Sequence, residues 1–384
     1  MKILSFGDLH VGAGVDDDVE KAIRYIIFHA AEIMPDLIII TGDVYDGATD
    51  PSHRNLMADL IQRIARYCPI VIIRGNHDIP KDLSILGKLQ APHLISVVEY
   101  PSVMVIGDVA IHLLPWLTKA SFIAQRVMPL DVGDNEASRS VSQLALLYLR
   151  GQIAKLEGED DGGLKHLLYA HLMIAGSRLE NYQPLIGEGV QFGYHDLVEA
   201  GFHGGAFGHI HIAQTFGSTG QPQFRYNGAV AAMNYGETAL HKSFSVLDTD
   251  TMDVAVYQIE GVPRMTFDAE YDGKLNIQYP DGLLVCGGRV RVKLKVSEGY
   301  GSEDGKKLVR EFFEKKEPLE LKIEIQTKPR DLVRAAEIAA AKTAGDKMIA
   351  YWNATGTTPE EPLRTEMLTI VNQLELEITA GDLI

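Results

Sequence analysis

The sequence predicts an α/β fold in which a mixed sheet is covered by helices, followed by a small βαβ unit and a helical tail. Short apolar runs alternate with helix-period stretches through the first half of the chain, and later segments alternate strictly in polarity. With 46% hydrophobic against 23% charged side chains over 384 residues, there is enough apolar material for two or three packed domains.

Ile3–Phe6, Leu37–Ile40 and Ile70–Ile73 are uninterrupted apolar runs, which suit strands buried on both faces. Helix-period stretches over Val19–Ile33 and Arg54–Arg66 separate them, so the first third reads as βαβαβ. A strand is expected at Val109–Leu114, a helix at Ser138–Leu156, a polar glycine-rich loop at Gly158–Gly163 and a buried strand at His166–Ala170. Beyond His211 come short strands through Phe216, Phe224–Tyr226, Ser243–Leu247 and Val254–Ile259, which close a first domain of residues 1–261. The run GRVRVKLKV from Gly288, a helical stretch over Glu303–Lys315 and LELKIEIQ at Leu319–Gln326 form a βαβ unit within residues 270–330. Residues 331–384 hold an alanine-rich helix at Asp331–Trp352, a linker at Asn353–Pro362 and apolar residues at helical spacing from Leu363 to Ile378.

No apolar run approaches the roughly 20 residues of a membrane helix. The start MKILSFGDLH meets Gly and Asp at once, unlike a signal peptide, so the expected location is the cytoplasm. Cys68 and Cys286 are far apart and offer neither a disulfide framework nor a thiolate metal site. Any metal must therefore be held by His, Asp, Glu or Asn. The net charge of −16 excludes a protein that coats nucleic acid with its whole surface, though a local DNA site is compatible with it. Residues 270–330, with 13 basic and 11 acidic side chains, are the only net-basic stretch of the three.

Five segments put metal-ligand side chains at the ends of expected strands: Gly7-Asp8-Leu9-His10, Gly42-Asp43-Val44-Tyr45-Asp46, Gly75-Asn76-His77-Asp78, His171, and Gly208-His209-Ile210-His211. Four begin with glycine, which permits a sharp turn and leaves room beside the next side chain. In open α/β sheets such ends share one crevice. Asp8 with His10, and His209 with His211, lie two apart, which in extended backbone aims both members of a pair to one side. The Asp43 carboxylate has two oxygens and could bridge two cations about 3.5–4 Å apart. Each segment alone reads as an ordinary turn. Together, with five of the 13 histidines beside two carboxylates and an asparagine, they read as a two-metal site, with His77 facing it from the substrate side. Imidazole and oxygen donors without thiolate suit manganese, iron or zinc better than calcium or magnesium alone.

The ordered set GDLH, GDVYD, GNHD, a single histidine after an apolar run, and GHIH resembles the calcineurin-like metallophosphoesterase superfamily. GHIHIAQ followed by FRYNGAV and NYGE, with the βαβ unit and helical tail, looks like its SbcD-type DNA-repair exonucleases. The resemblance implies a β-sandwich core flanked by helices, a DNA-capping domain at 270–330 and a partner-binding tail at 331–384. It implies two divalent ions, manganese first with magnesium, iron or zinc as alternatives. Asp8, His10, Asp43 and His211 would hold one, and Asp43, Asn76, His171 and His209 the other. His77 would orient the phosphate or protonate the leaving oxygen as it is displaced in line, and Asp78 would hold the His77 ring. His171 is matched by position more than by its neighbours, which read YAHLMIAGSRLE. The implied partners are DNA ends, an SbcC-type coiled-coil ATPase docked on the C-terminal helices and a second copy of the chain, with no membrane.

Arg289, Arg291, Lys293 and Lys295 share one face of a strand, either as phosphate contacts or as a solvated, charge-protected edge. The expected activity is a manganese-dependent DNA nuclease, exonuclease on double-strand ends and endonuclease on single strands. The alternative is a small-substrate phosphodiesterase or nucleotide pyrophosphatase with the same metals. A non-catalytic scaffold is a third reading, against which His77 speaks, since a scaffold has no need of it. His29, His53, His93, His112, His166, His195, His203 and His241 are read as structural.

Overall fold

Successive residues of a strand face opposite ways, and here each way meets a different layer. The computed structural model describes residues 1–117, 134–159, 163–178, 189–237, 242–280, 283–297, 299–326 and 341–381. His241 and the part of the alanine-rich stretch before residue 341 lie outside them.

Strands β1 (Lys2–Phe6), β2 (Leu37–Ile40), β3 (Ile70–Ile73) and β4 (Ile95–Val98) run parallel. Helices α1 (Asp16–Ile33) and α2 (Pro51–Ile64) make the first two crossovers. β5 (Ser102–Ile106) and β6 (Val109–Leu114) form a hairpin, and β7 (Lys165–His171) pairs parallel to β6 after helix α3 (Asp134–Glu159). Short strands β8 (Met173–Ile174) and β9 (Gln191–Phe192) pair with each other. After helix α4 (Tyr194–Glu199) come β10 (Gly204–Gly208), β11 (Gln214–Phe216) and β12 (Gln223–Tyr226), then β13 (Ser243–Asp248) and β14 (Val254–Gln258). Two six-stranded sheets result, ordered β14-β13-β1-β2-β3-β4 and β11-β12-β10-β7-β6-β5.

The first third of the chain supplies four strands of one sheet, and the two sheets form the expected β-sandwich core flanked by helices. Ile3, Leu37, Ile39, Val71 and Ile73 pack with Val109, Ile111, Leu113, Leu167 and Tyr169 of the second sheet. Leu4, Phe6, Ile38, Ile40, Ile70 and Ile72 pack on Val19, Ile23, Ile26, Met57, Leu60 and Ile61 of α1 and α2. On the outer face of the second sheet Leu168, Ala170, Phe207 and Phe224 meet Val141, Ala145, Leu149 and Ile153 of α3 and Leu197 of α4. The result is a four-layer αββα sandwich. Each fully buried isoleucine or leucine contributes roughly 1.5–3 kcal/mol.

Local signals agree with these layers. Asp50 caps α2 by accepting from the backbone N–H of Ser52 and His53, with Pro51 in the first turn. Three aspartates open α1, complementing its dipole, and Met34 ends it in left-handed backbone.

Strands β15 (Arg264–Tyr271), β16 (Leu275–Ile277), β17 (Arg289–Val296) and β18 (Glu320–Gln326), with helix α5 (Ser302–Glu314) between the last two, make a four-stranded sheet ordered β16-β15-β17-β18. The hairpin β15–β16 adds to the βαβ pattern seen in sequence. The chain forms two compact units: residues 1–266, 280–291 and 312–322 in one, and 267–279, 292–311 and 323–384 in the other. In the second, Val292, Leu294 and Val309 are buried, and helices α6 (Ala344–Thr355) and α7 (Leu363–Gly381) are tied by Glu375, which accepts from the Ala344 N–H. Leu363, Ile370 and Leu374 of α7 stay exposed. Among the described residues no helix is long and apolar enough to cross a membrane.

Candidate metal centre

Every segment singled out in sequence sits at or just past the carboxyl end of a strand: β1, β2 and β3 of one sheet, β7 and β10 of the other. The loops are knitted by backbone hydrogen bonds. The Asp8 N–H donates to the Gly42 carbonyl (2.9 Å), and the N–H groups of Leu9 and His10 share the Asp43 carbonyl (2.8 and 3.0 Å). The two sheets are joined where the His209 N–H donates to Asp8 Oδ1 at 2.8 Å.

The side chains do not converge through strand alternation, as their spacing suggested. Asp8, His10, Asp43 and His209 lie just past their strands with φ of 53°, 48°, 49° and 99°. Left-handed backbone at a non-glycine residue costs of order 1–3 kcal/mol and concentrates at functional sites. Two glycines are required by close approach. A Cβ on Gly42, itself at φ 101°, would stand 2.5 Å from His171 Nδ1, and one on Gly75 would stand 2.1 Å from Asp43 Oδ1.

All seven expected ligand residues come together, in two groups. Asp8, His10 and His211 form one, with the two Nε2 atoms 3.0 Å apart. Asp43, His171 and His209 form the other, with Asn76 Oδ1 2.8 Å from His171 Nε2 and 2.9 Å from His209 Nδ1. Asp43 Oδ2 reaches both groups, 3.6 Å from His10 Nε2 and 3.3 Å from His171 Nε2. His209 and His211, two residues apart, thus serve different groups.

The far nitrogens test whether this arrangement fits a cation. His171 Nδ1 donates to the Thr41 carbonyl at 2.8 Å, and His211 Nδ1 to Glu237 Oε1 at 3.0 Å. His10 Nδ1 faces Asp46 Oδ1 at 3.2 Å. With protons on those nitrogens, the Nε2 lone pairs of all three rings point at one another and at buried carboxylates. Donor atoms sharing an ion at about 2.1 Å stand roughly 3.0–3.4 Å apart, close to the separations found here. The donor set fits two divalent cations.

The charges lead to the same conclusion. Burial works against ionisation of Asp43, yet His171, His10 and the His77 N–H hold its carboxyl well below the usual range. Burial opposes charge on His171 too, and Asp43, Asp8 and the Thr41 carbonyl still push it up to about 9. Burial and the neighbouring His171 depress His209 to about 3. The site thus concentrates negative charge that, without a cation, only an imidazolium can balance.

His77 is half-exposed at the rim, its ring 4.7 Å from that of His10. The partner expected for it was Asp78, and that expectation is corrected. Both Asp78 oxygens are taken by backbone, accepting from the N–H groups of Tyr45 (3.0 Å) and Gly75 (2.8 Å). Buried there beside Asp43, Asp78 is pushed up to about 6. It binds two loops together, and the carboxylate beside His77 Nδ1 is Asp46, at 2.8 Å.

Three further residues were given no role from sequence. Glu237, in the NYGE segment, is held by Lys242 Nζ (2.7 Å) and the Met233 N–H (3.1 Å), both partners of the oxygen not used by His211. Burial would raise it, but His211 and Lys242 hold it down at about 2. Asp46 closes the GDVYD motif, and its place there was the available signal. Trp116, beside the His209 ring, had none.

The basic strand lies elsewhere, in β17. Arg289 forks onto Asp18 (Nε 3.1 Å, Nη2 3.0 Å) and reaches Glu320 (2.6 Å). Arg291 donates to Thr266 Oγ1 and covers the Tyr235 ring, and Lys295 pairs with Glu270. Lys293 lies half-buried between them. Three of the four cations are thus engaged within the protein. His112 and His166 are buried and hydrogen-bonded to each other, and the His203 ring accepts from the His166 N–H, as structural residues would.

The family model for calcineurin-like phosphoesterases matches residues 1–213. The SbcD chain of the nuclease SbcCD from Bacillus subtilis is 24% identical over 280 residues, covering 67% of this chain and 68% of that protein. The DNA double-strand break repair protein Mre11 of Methanococcus maripaludis is 30% identical over 89 residues, 21% of this chain and 24% of that one. Among solved structures, a dimetal phosphatase from Danio rerio aligns with a TM-score of 0.42 at 11% identity, covering 67% of this chain and 99% of that one.

Proposed function

The chain belongs to the calcineurin-like phosphoesterase family, and from that premise we propose that it is a manganese-dependent DNA nuclease. It would act as an exonuclease on double-strand ends and as an endonuclease on single strands. The observation that carries the chemistry is Asp43 Oδ2, one carboxylate oxygen within 3.6 Å of a histidine nitrogen in each group. The similarity over 280 residues to the bacterial nuclease chain supports DNA as the substrate.

Asp8, His10, Asp43 and His211 would hold one ion and Asp43, Asn76, His171 and His209 the other. Such a pair activates a water and neutralises charge on the phosphoryl oxygens. The protein's own residues do the rest. His77, at the open rim, donates a proton to the departing oxygen, and Asp46 beside Nδ1 fixes the orientation of the ring. Glu237, Thr41 and Asp46 orient three of the ligand rings through their far nitrogens. Asp78 keeps the loops bearing Asp43 and Asn76 in register.

We further propose residues 270–330 as a DNA-capping region and α6–α7 as the docking site of a coiled-coil ATPase, with the chain acting as a dimer. The exposed Leu363, Ile370 and Leu374 of α7 support the docking reading. One observation favours a second reading, a small-substrate phosphodiesterase or nucleotide pyrophosphatase. Arg289 and Lys295 already pair with carboxylates of the protein, in a chain of net charge −16.

The test is manganese-dependent nucleotide release from an end-labelled linear duplex, with His77→Ala as control. Release that vanishes in the control is the expected result. Cleavage of bis-p-nitrophenyl phosphate without release from DNA, alone or with the ATPase added, overturns the nuclease reading in favour of small substrates.

A further inference from the structure

Four histidine rings line the centre, and three are held by a polar partner at the nitrogen turned away from it: His10 by Asp46, His171 by the Thr41 carbonyl and His211 by Glu237. His209 differs. Its Nδ1 faces Asn76, and among the described residues its Nε2 has no hydrogen-bond partner. The ring lies instead against the indole of Trp116, with centroids 4.8 Å apart and planes inclined by 35°.

Trp116 is itself firmly placed. Its backbone N–H donates to the Arg74 carbonyl at 2.9 Å, and its backbone carbonyl accepts from Arg74 Nη2 at 2.7 Å. Arg74 immediately precedes Gly75-Asn76-His77, so the backbone that carries the indole is tied to the segment that supplies another ligand of the same group. At the outer edge of its six-membered ring the Gly189 backbone comes so close that a Cβ there would stand 2.2 Å from Cη2. A smaller or more mobile side chain at 116 would leave His209 without a wall.

We propose that Trp116 is a positioning residue for His209, doing by ring contact what a hydrogen bond does for the other three rings. An imidazole that gives its lone pair to a cation becomes electron-poor, and an indole face is electron-rich. The contact is therefore stronger in the ion-bound state than in the free one. It favours the ion held by Asp43, Asn76, His171 and His209 over the ion of the other group. The inference rests on the two-ion reading above.

Calorimetric titration with manganese chloride tests both and separates them. The unaltered protein takes up two ions. Trp116→Leu loses about tenfold to a hundredfold in affinity for one of them, the range seen when groups supporting a metal ligand are removed. Its other ion is held almost as before, and Trp116→Phe, which keeps an aromatic face, restores most of the loss. Unchanged affinity for both ions in Trp116→Leu, or an equal loss of both, overturns the role of Trp116 while the two-ion reading stands. Failure of the unaltered protein to bind two ions removes both.

A second measurement leaves position 116 intact. The chain has two tryptophans, so in a Trp352→Phe protein the emission is that of Trp116 alone. Paramagnetic manganese should quench it in step with filling of the His209 ion. Emission that ignores both binding steps overturns the inference even if Trp116→Leu does not fold.

Discussion

Asp46 Oδ1 lies 2.8 Å from His77 Nδ1 and is the carboxylate beside that ring. Removing the general acid should cost about 10²–10⁴ in rate, so His77→Ala is expected to lose most of kcat. Asp46→Ala should lose less, roughly tenfold to a hundredfold, with KM little changed. Asp46 Oδ1 also lies 3.2 Å from His10 Nδ1, so the comparison is made at saturating manganese, where the double variant should be no slower than His77→Ala alone. Multiplying losses in a steady-state double-mutant cycle would show that Asp46 works independently of His77.

Asp43 is the carboxylate common to both groups of donors. Asp43→Ala is expected to lower the occupancy of both ions and abolish hydrolysis of every phosphodiester. Metal analysis after gel filtration checks this, and two ions still tightly held would refute the shared role.

Gly75 faces the same carboxylate across 2.1 Å of missing Cβ space. Gly75→Ala must push Asp43 or its own loop aside, and should weaken manganese binding more than tenfold while leaving helical content by circular dichroism unchanged. Retention of full affinity would mean the loop yields without moving Asp43 Oδ2.

Glu237 is 6% exposed and pairs with Lys242, whose side chain is wholly buried. Glu237→Ala strands that ammonium, and breaking a buried pair from one side typically costs about 3–5 kcal/mol. Denaturant titration in the presence of chelator should show most of this loss, and Glu237→Ala with Lys242→Met should recover much of it. The double variant should still bind manganese more weakly, because His211 has lost its support. Full recovery of binding would leave Glu237 with a purely structural role.

His112 is buried against His166 and Phe202, and burial with the neighbouring imidazole lowers it to about 4. The unfolded chain takes up this proton near pH 6.5, whereas the folded protein resists until about pH 4. The stability contributed by the neutral ring is therefore complete above pH 6.5 and is lost as pH falls toward 4, on the order of 3 kcal/mol in all. His112→Leu should flatten the pH dependence of unfolding in that window. Parallel slopes for the two proteins would sink the assignment.

The elements were legible because their signals are local. Runs such as Leu37–Ile40 and Ile70–Ile73 can satisfy their burial only as interior strands, whereas α2, expected from Arg54 by its period, starts at Pro51 behind the Asp50 cap. The candidate ligand residues were legible because a metal demands particular side chains, and glycines crowd around them. Asp78 was misread because adjacency to His77 says nothing about where its side chain turns. Its oxygens go to the Tyr45 and Gly75 N–H groups in the folded loops.

By itself, then, the sequence determined which residues end the strands and which of them can donate to a cation. Only the tertiary structure decided how they are shared out: His209 beside Asn76, His211 beside His10, with Asp46, Glu237 and Trp116 as their supports. Spacing along a chain constrains neighbours within a turn or a strand. The distance between His10 and His211, 201 residues apart, is set by two sheets packing face to face, and by left-handed turns at Asp8, His10, Asp43 and His209 that only the assembled core can hold in place.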